Sequence, residues 1–283
     1  MPVSAALVLV LPALAVSPSD PASVLNSPRA DGTAHDVRVR LGAEIGIVAP
    51  VSHVITYGKD GTEFDYVEEG GQDVLFPFAR FGVDLDAGKR HTFVLLYQPL
   101  DLRTSVTLER DVRWDGVDFP EGTPVELRYG FSFWRGSWMY DLLPGPEREA
   151  TIGGSLQIRN ANLEITSTDG ELRSVNRDVG PVPLIKSRFR WPLSNEGWFG
   201  AELDAAWAPI RYINGSDSDV EGVLVDLSAR AGTELRPGVD FFMNVRYFAG
   251  GAVGTSSNAT PPGDGFSENW LHFLTLSAGF AVR

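Results

Sequence analysis

Eleven ionisable residues, Arg38, Arg40, Glu44, Arg80, Arg159, Arg188, Glu202, Asp204, Asp226, Arg230 and Arg246, occur in otherwise apolar surroundings, most with an apolar residue on each side. Charges of both signs spaced like this can form buried ion pairs or line a polar path, provided one face gathers them. Asp84, Arg128, Gln157, Lys186, Arg190 and Asn244 occur in the same setting. Acid–base chemistry would have to come from four histidines, His35, His53, His91 and His272. A general base needs a partner within hydrogen-bond reach in a sheltered site. His53 and His272 share parity with apolar neighbours, His91 opens a strand and His35 precedes the first strand. No catalytic pairing is legible, and no catalytic residue is expected. The run Asn214-Gly215-Ser216-Asp217-Ser218-Asp219 offers oxygen ligands. It lacks the spacing and closing Glu of a calcium loop, and reads as a solvated acidic turn. Without cysteine the chain has neither thiolate metal ligands nor disulfides. Gly250-Gly251 and Gly254 precede no helix, so no phosphate cradle or other cofactor site is expected.

Strands must position these side chains. Val37, Val39, Leu41, Ala43, Ile45, Ile47, Ala49 and Val51 are apolar, and the residues between them include Arg38, Arg40, Gly42, Glu44 and Gly46. A period of two means one greasy face and one wet face. Nine further stretches read alike, giving strands at roughly 37–56, 74–86, 90–103, 125–142, 148–165, 181–191, 198–209, 222–234, 239–250 and 269–282. Two of them change phase. Tyr129, Phe131 and Phe133 share one parity, whereas Trp134, Trp138 and Tyr140 share the other. A β-bulge near Ser132–Trp134 is expected to restore a single face, with a similar slip between Ile158 and Ala161 in the fifth strand.

The connections alternate between short turns and long segments. Asp86–Lys89, Leu143–Glu147, Pro192–Gly197 and Leu235–Gly238 are short and rich in turn residues. The long ones, 57–73, 104–124, 166–180, 210–221 and 251–268, carry net charges of −5, −3, −1, −2 and −2, the whole −13 of the chain. A neutral framework with acidic loops excludes the basic footprint of a nucleic-acid binder, and makes divalent cations conceivable partners at the loops. Residues 1–16 have the apolar core and Ala13-Leu14-Ala15 of an export signal, 17–36 read as a flexible lead-in, and 37–283 as one β-domain.

Ten long strands with this loop alternation resemble bacterial outer-membrane β-barrels. Val112 to Tyr129, Ile158-Arg159-Asn160-Ala161 and Phe273 to Phe280 are similar to stretches of an uncharacterised small-barrel family. The resemblance implies an all-β, ten-stranded antiparallel up-and-down transmembrane barrel in the outer membrane. Its implied partners are outer-membrane lipid and the barrel-assembly machinery. The chain departs from the barrel pattern at its end, where Phe280 is followed by Ala281-Val282-Arg283. With the apolar face outward, Phe76, Trp191, Trp198, Trp207, Tyr247, Trp270 and Phe280 are expected in the aromatic girdles. The eleven charged residues then form a lumen network, since ten strands leave little more room than their own side chains fill. A porin-sized channel is excluded by strand number. The expected function is non-enzymatic: membrane structure, surface interaction or a narrow conduit. The alternatives are a barrel enzyme resembling omptin proteases or lipid A-modifying hydrolases, and a secreted soluble barrel that binds a lipophilic ligand.

Overall fold

A computed structural model describes residues 37–143, 148–193, 197–209, 220–255 and 262–283. The expected signal and lead-in, and the run Asn214–Asp219, lie outside the described residues. Chain order runs β1 (Val37–Tyr57), β2 (Phe64–Asp65), β3 (Phe76–Ala87), β4 (His91–Gln98), β5 (Asp101–Thr107), β6 (Val112–Trp114) and β7 (Val117–Phe119). It continues with β8 (Pro124–Asp141), β9 (Glu149–Ser167), β10 (Arg173–Pro192), β11 (Gly197–Pro209), β12 (Glu221–Arg236), β13 (Val239–Thr255) and β14 (Phe266–Val282). Neighbours pair antiparallel all the way round, and β14 closes on β1 from Leu41↔Val282 to Tyr57↔Ser267. β4 and β5 both pair with β8 and form one wall strand interrupted at Pro99 and Leu100. The wall is therefore a closed, ten-stranded antiparallel barrel.

Short turns and both ends of the described chain share one rim. At Gly238 the backbone takes a φ of 81°, which a turn between β12 and β13 requires and only glycine adopts without strain. Glu234 accepts its N–H at 2.8 Å. By the architecture of such barrels this rim is periplasmic, and the rim bearing β2 and the β6–β7 hairpin faces outward.

β1 has 21 residues and β10 has 20, roughly twice the 9–11 that cross a bilayer. The excess stands in water, and the wall changes character where it leaves the lipid. Along β8 the odd residues point inward throughout. Val125, Leu127, Tyr129, Phe131 and Phe133 are buried above, and Arg135, Ser137 and Met139 below. Outward, Glu126 and Arg128, the latter expected among the inward charges, give way to Trp134 and Trp138. β9 does the same, with Ala161, Leu163 and Ile165 inside above Ser155 and Gln157, and Ile152, Leu156 and Ile158 outside below Asn160. Beneath this level hydrocarbon lies outside and polar groups turn in; above it water lies outside and apolar groups turn in.

This corrects the expected bulges in the fourth and fifth wall strands. The β8–β9 register is continuous from Val125↔Ser167 to Asp141↔Thr151. Polarity swaps there while facing does not. A bulge occurs instead in β1, where the register against β14 shifts between Pro50 and Ser52. Val51 is the extra residue, and after it the inward positions become His53, Ile55 and Tyr57. The expected loop 166–180 is also largely strand, since β9 and β10 pair up to Arg173↔Thr166.

The outer surface of the lower wall is apolar, with Ile185 at 69% and Trp207 at 72% exposure among many others. Val245 sits in this band beside Leu276 of β14. Val245→Arg is expected to destabilise the barrel by about 2–4 kcal/mol in bilayers. Chemical unfolding in lipid vesicles measures it, and a Val245→Arg barrel as stable as the parent would mean the band does not face hydrocarbon.

Candidate functional site: the filled lumen

Inside the lipid-level wall, alternate residues of nine strands converge into one ionic layer. The Arg135 guanidinium reaches Asp204 at 2.8 Å and Asp226 at 2.9 Å. Its Nε and Nη2 also donate to Gln157 Oε1 at 3.1 and 2.6 Å. Lys186 Nζ sits between Glu202 at 2.7 Å and Asp204 at 2.8 Å. Arg80 contacts Glu202, Asp226 and Glu44 at 3.2, 3.4 and 3.6 Å. Arg246 pairs with Asp226 and Glu44. Neutral donors complete the carboxylates: Ser155 to Asp204 at 2.9 Å, and Asn244 and Ser277 to Glu44 at 2.8 Å each. Charges this buried persist because each is paired with an opposite charge, although Arg246 Nε and Nη2 and Gln157 Nε2 keep no hydrogen-bond partner.

Nearer the periplasmic rim the pairs are less buried. Arg188 bridges Asp84 and Glu149 at 2.7 and 2.6 Å, and Arg40 lies 3.3 Å from Asp86. Asp240 accepts from Arg190 at 3.1 Å and Arg283 at 2.7 Å. A cavity of about 110 Å³ opens among Arg40, Asp84, Glu149, Arg188 and Arg190 and reaches the ionic layer at Glu44, Arg80 and Glu202.

Above the ionic layer the barrel is closed a second time, by an aromatic cap. Two outer segments fold inward to build it. β2 pairs with Val54 and Ile55 of β1, and Tyr66 follows it into the interior. The β6–β7 hairpin brings in Trp114 and Phe119, both 1% exposed. Thr62 N–H donates to the Arg113 carbonyl at 2.8 Å, and Arg113 N–H to Thr62 Oγ1 at 2.9 Å, tying the segments together. Arg110 grips Glu69 through Nε at 2.7 Å and Nη2 at 2.8 Å, and this hydrogen bonding holds the Glu69 carboxyl below its ordinary range.

His53 lies at the centre of the cap and is fully buried. Its ring stacks on Tyr66 at 4.5 Å and meets the edges of Tyr129 and Phe273 at 4.3 and 5.8 Å. Nδ1 is hydrogen-bonded to Gln72 Oε1 at 2.8 Å. Parity had put this residue on the outer face; the Val51 bulge turns it in. His272 faces outward and pairs with the Tyr247 hydroxyl, and His91 accepts from Trp138 Nε1 at 3.2 Å near the periplasmic rim. His35 lies outside the described residues.

The expected lumen residues Arg40, Glu44, Arg80, Arg188, Glu202, Asp204, Asp226, Arg230 and Arg246 all line the interior. Arg159 is half-buried and inward, at the level where polar filling meets the cap, and Arg38 is exposed at the rim. Arg135 was missed, although it makes two of the shortest buried ion pairs. The phase change around Trp134 obscured its facing. Of the expected girdle, Trp191, Trp207, Tyr247, Trp270 and Phe280 are exposed on the outer surface. Phe76 and Trp198 are corrections: both are buried inside. Phe76 stands where β3 has left the lipid level and joins the cap. Trp198 lies over Gly232, whose absent Cβ would stand 2.6 Å from the indole ring.

No protein-family model matches the sequence, and no curated protein is similar to it. Solved structures are similar in fold. The outer membrane protease OmpT from Escherichia coli superposes with a TM-score of 0.50 at 12% identity, over 88% of this chain and 97% of that one. Ail, the attachment invasion locus protein of Yersinia pestis, gives 0.33 at 9% identity over 86% and 99%. OprG from Pseudomonas aeruginosa gives 0.33 at 11% identity over 87% and 95%. The chain has the fold of bacterial outer-membrane β-barrels, and its apolar outer band suits that membrane.

Proposed function

We propose that this barrel works through its surface and its place in the membrane, without conducting solutes and without catalysis. The observation that carries this reading is the double filling of the lumen: an ionic layer at lipid level and an aromatic cap above it. Each layer fills the lumen with side chains, and the two are built from different residues. Outer-membrane lipid and the assembly machinery are then its obligate partners, and the outward rim, with its acidic segments, is the surface left for further contacts or divalent cations.

Planar-bilayer recording tests it. The expected result is no conductance above background. Stable wild-type openings would overturn the reading in favour of transport. A proteolytic function rests on a likeness of fold, which many activities share. His53 is sealed within the cap and His272 is turned outward, so neither meets an acid in an accessible cleft.

A further inference from the structure

On the outside of the wall, where β5, β8, β9 and β10 leave the lipid, lies a polar notch of about 270 Å³. Register lays its floor in one row across the four strands: Asp101↔Gly130, Gly130↔Asn162 and Asn162↔Arg177. Ser132 and Asn160 pair in the row below. Gly130 has no side chain and Ser132 a short one, so the wall is hollowed between Asp101 and Arg177. At the break between β4 and β5, the Leu100 N–H donates to Ser132 Oγ at 3.2 Å and fixes this edge of the hollow.

Three charges line the notch: Asp101, Arg128 and Arg177. Arg128 gives Nε and Nη2 to Asp101 at 2.8 and 3.0 Å, and Arg103 adds a contact at 3.1 Å. The one carboxylate is thus satisfied, and Arg128 keeps its Nη1 to donate. Its side chain is 35% exposed. Arg177 is exposed too, and makes no ion pair among the described residues. Above the notch, Glu164 is engaged by Arg173 at 2.7 Å, and Glu126 stands a further row away. Asn162 Oδ1 is sealed and takes no part, whereas Asn160 is exposed and Ser132 half-buried. The notch therefore holds one positive charge in excess, within reach from outside, on a chain of net charge −13.

Directly below, the wall turns apolar. Tyr97 stacks on Trp134 at 4.6 Å, and Ile158 and Val179 beside them are 44% and 66% exposed. An occupant meets cations at one end and the edge of the hydrocarbon at the other. A free anion answers only the first, and the acidic outer segments repel it. A lipid answers both.

We propose that the notch binds the phosphorylated headgroup of an outer-leaflet lipid, its phosphate on Arg128 and Arg177 and its acyl chains against Trp134, Ile158 and Val179. Asn160 and Ser132 offer hydrogen bonds that suit the hydroxyls of a sugar in that headgroup. This rests on the reading of outer-membrane lipid as a partner and gives that partner a place and a chemistry. It is independent of the filled lumen, so loss of lipid binding would leave the expected background conductance unchanged.

The test uses the folded barrel in neutral detergent, titrated with lipid A carrying its phosphates or with the same lipid enzymatically dephosphorylated. Native mass spectrometry counts the lipid retained. The parent should hold one phosphorylated lipid saturably, and the dephosphorylated lipid should bind about ten-fold more weakly. Arg177→Gln should lose about ten-fold in affinity for the phosphorylated form, while Arg113→Gln, on the outer hairpin, should lose nothing. Asn160→Trp fills the notch without changing a charge and should weaken binding as much as Arg177→Gln, so it decides if Arg177→Gln fails to fold. Equal binding of the two lipids, or equal losses in Arg177→Gln and Arg113→Gln, would overturn the proposal. Displacement of the lipid by inorganic phosphate at matching concentration would assign the notch to a soluble anion and overturn it as well.

Discussion

Asp226→Ala is expected to destabilise the barrel by about 3–5 kcal/mol without opening it. Asp226 receives Arg135, Arg80 and Arg246 at once, and all four side chains are nearly inaccessible. Removing the shared acceptor leaves cations buried with too little negative charge nearby. The loss comes from that uncompensated charge more than from the pair itself, so the double change Asp226→Ala with Arg246→Met should be less damaging than the two single effects added together. Urea unfolding of all three variants and the parent gives the coupling. Conductance stays at background in each, because the cap is built from other residues. Additive energies would mean that Asp226 and Arg246 do not share a site.

Trp114→Ala should cost a similar amount, about 3–5 kcal/mol, by opening a cavity in the cap. The indole lies 5.4 Å from Tyr57, 5.7 Å from Phe64 and 5.9 Å from Tyr66, so its removal unsupports both inward segments. The β6–β7 hairpin should then become sensitive to added protease from the outer side while the lipid-level wall stays resistant. Unfolding midpoints and mapped cleavage sites report the two effects separately. A loss below about 1 kcal/mol would mean that the cap is a loose cover and not a packed core.

Much of the wall was legible because alternation needs only the chemistry of neighbours. Ten of the eleven expected charges could be put inside on parity alone. Facing failed where the surroundings change along a strand. Tyr129, Phe131 and Phe133 on one parity and Trp134 and Trp138 on the other look like a slipped register, but they record an unbroken strand passing from water into lipid. The reverse error hid the true bulge. Val51 is followed by His53 and Ile55 at the same spacing as before, so nothing in the local pattern marks an extra residue. Only the pairing with β14 reveals it, and with it the burial of His53. Phe76 and Trp198 failed for a related reason: an aromatic near a strand end can serve a girdle or fill an interior. The ion pairs themselves were out of reach, since Arg80 and Asp226 are brought together by closure of the whole wall and not by any local spacing.

The position of His53 also ties the cap to the order in which the barrel can be assembled. One of its ring contacts is Phe273 on the last strand, and its own strand is the first. The seam that converts an open sheet into a cylinder therefore runs beneath the cap. Such distant pairings form late, because a long stretch of chain must be ordered before they return any free energy. An intermediate with its seam unzipped lacks the floor on which Tyr66 and Gln72 settle. The outer mouth can seal only on a finished cylinder, so the environment of the Trp114 indole should report the final step of maturation.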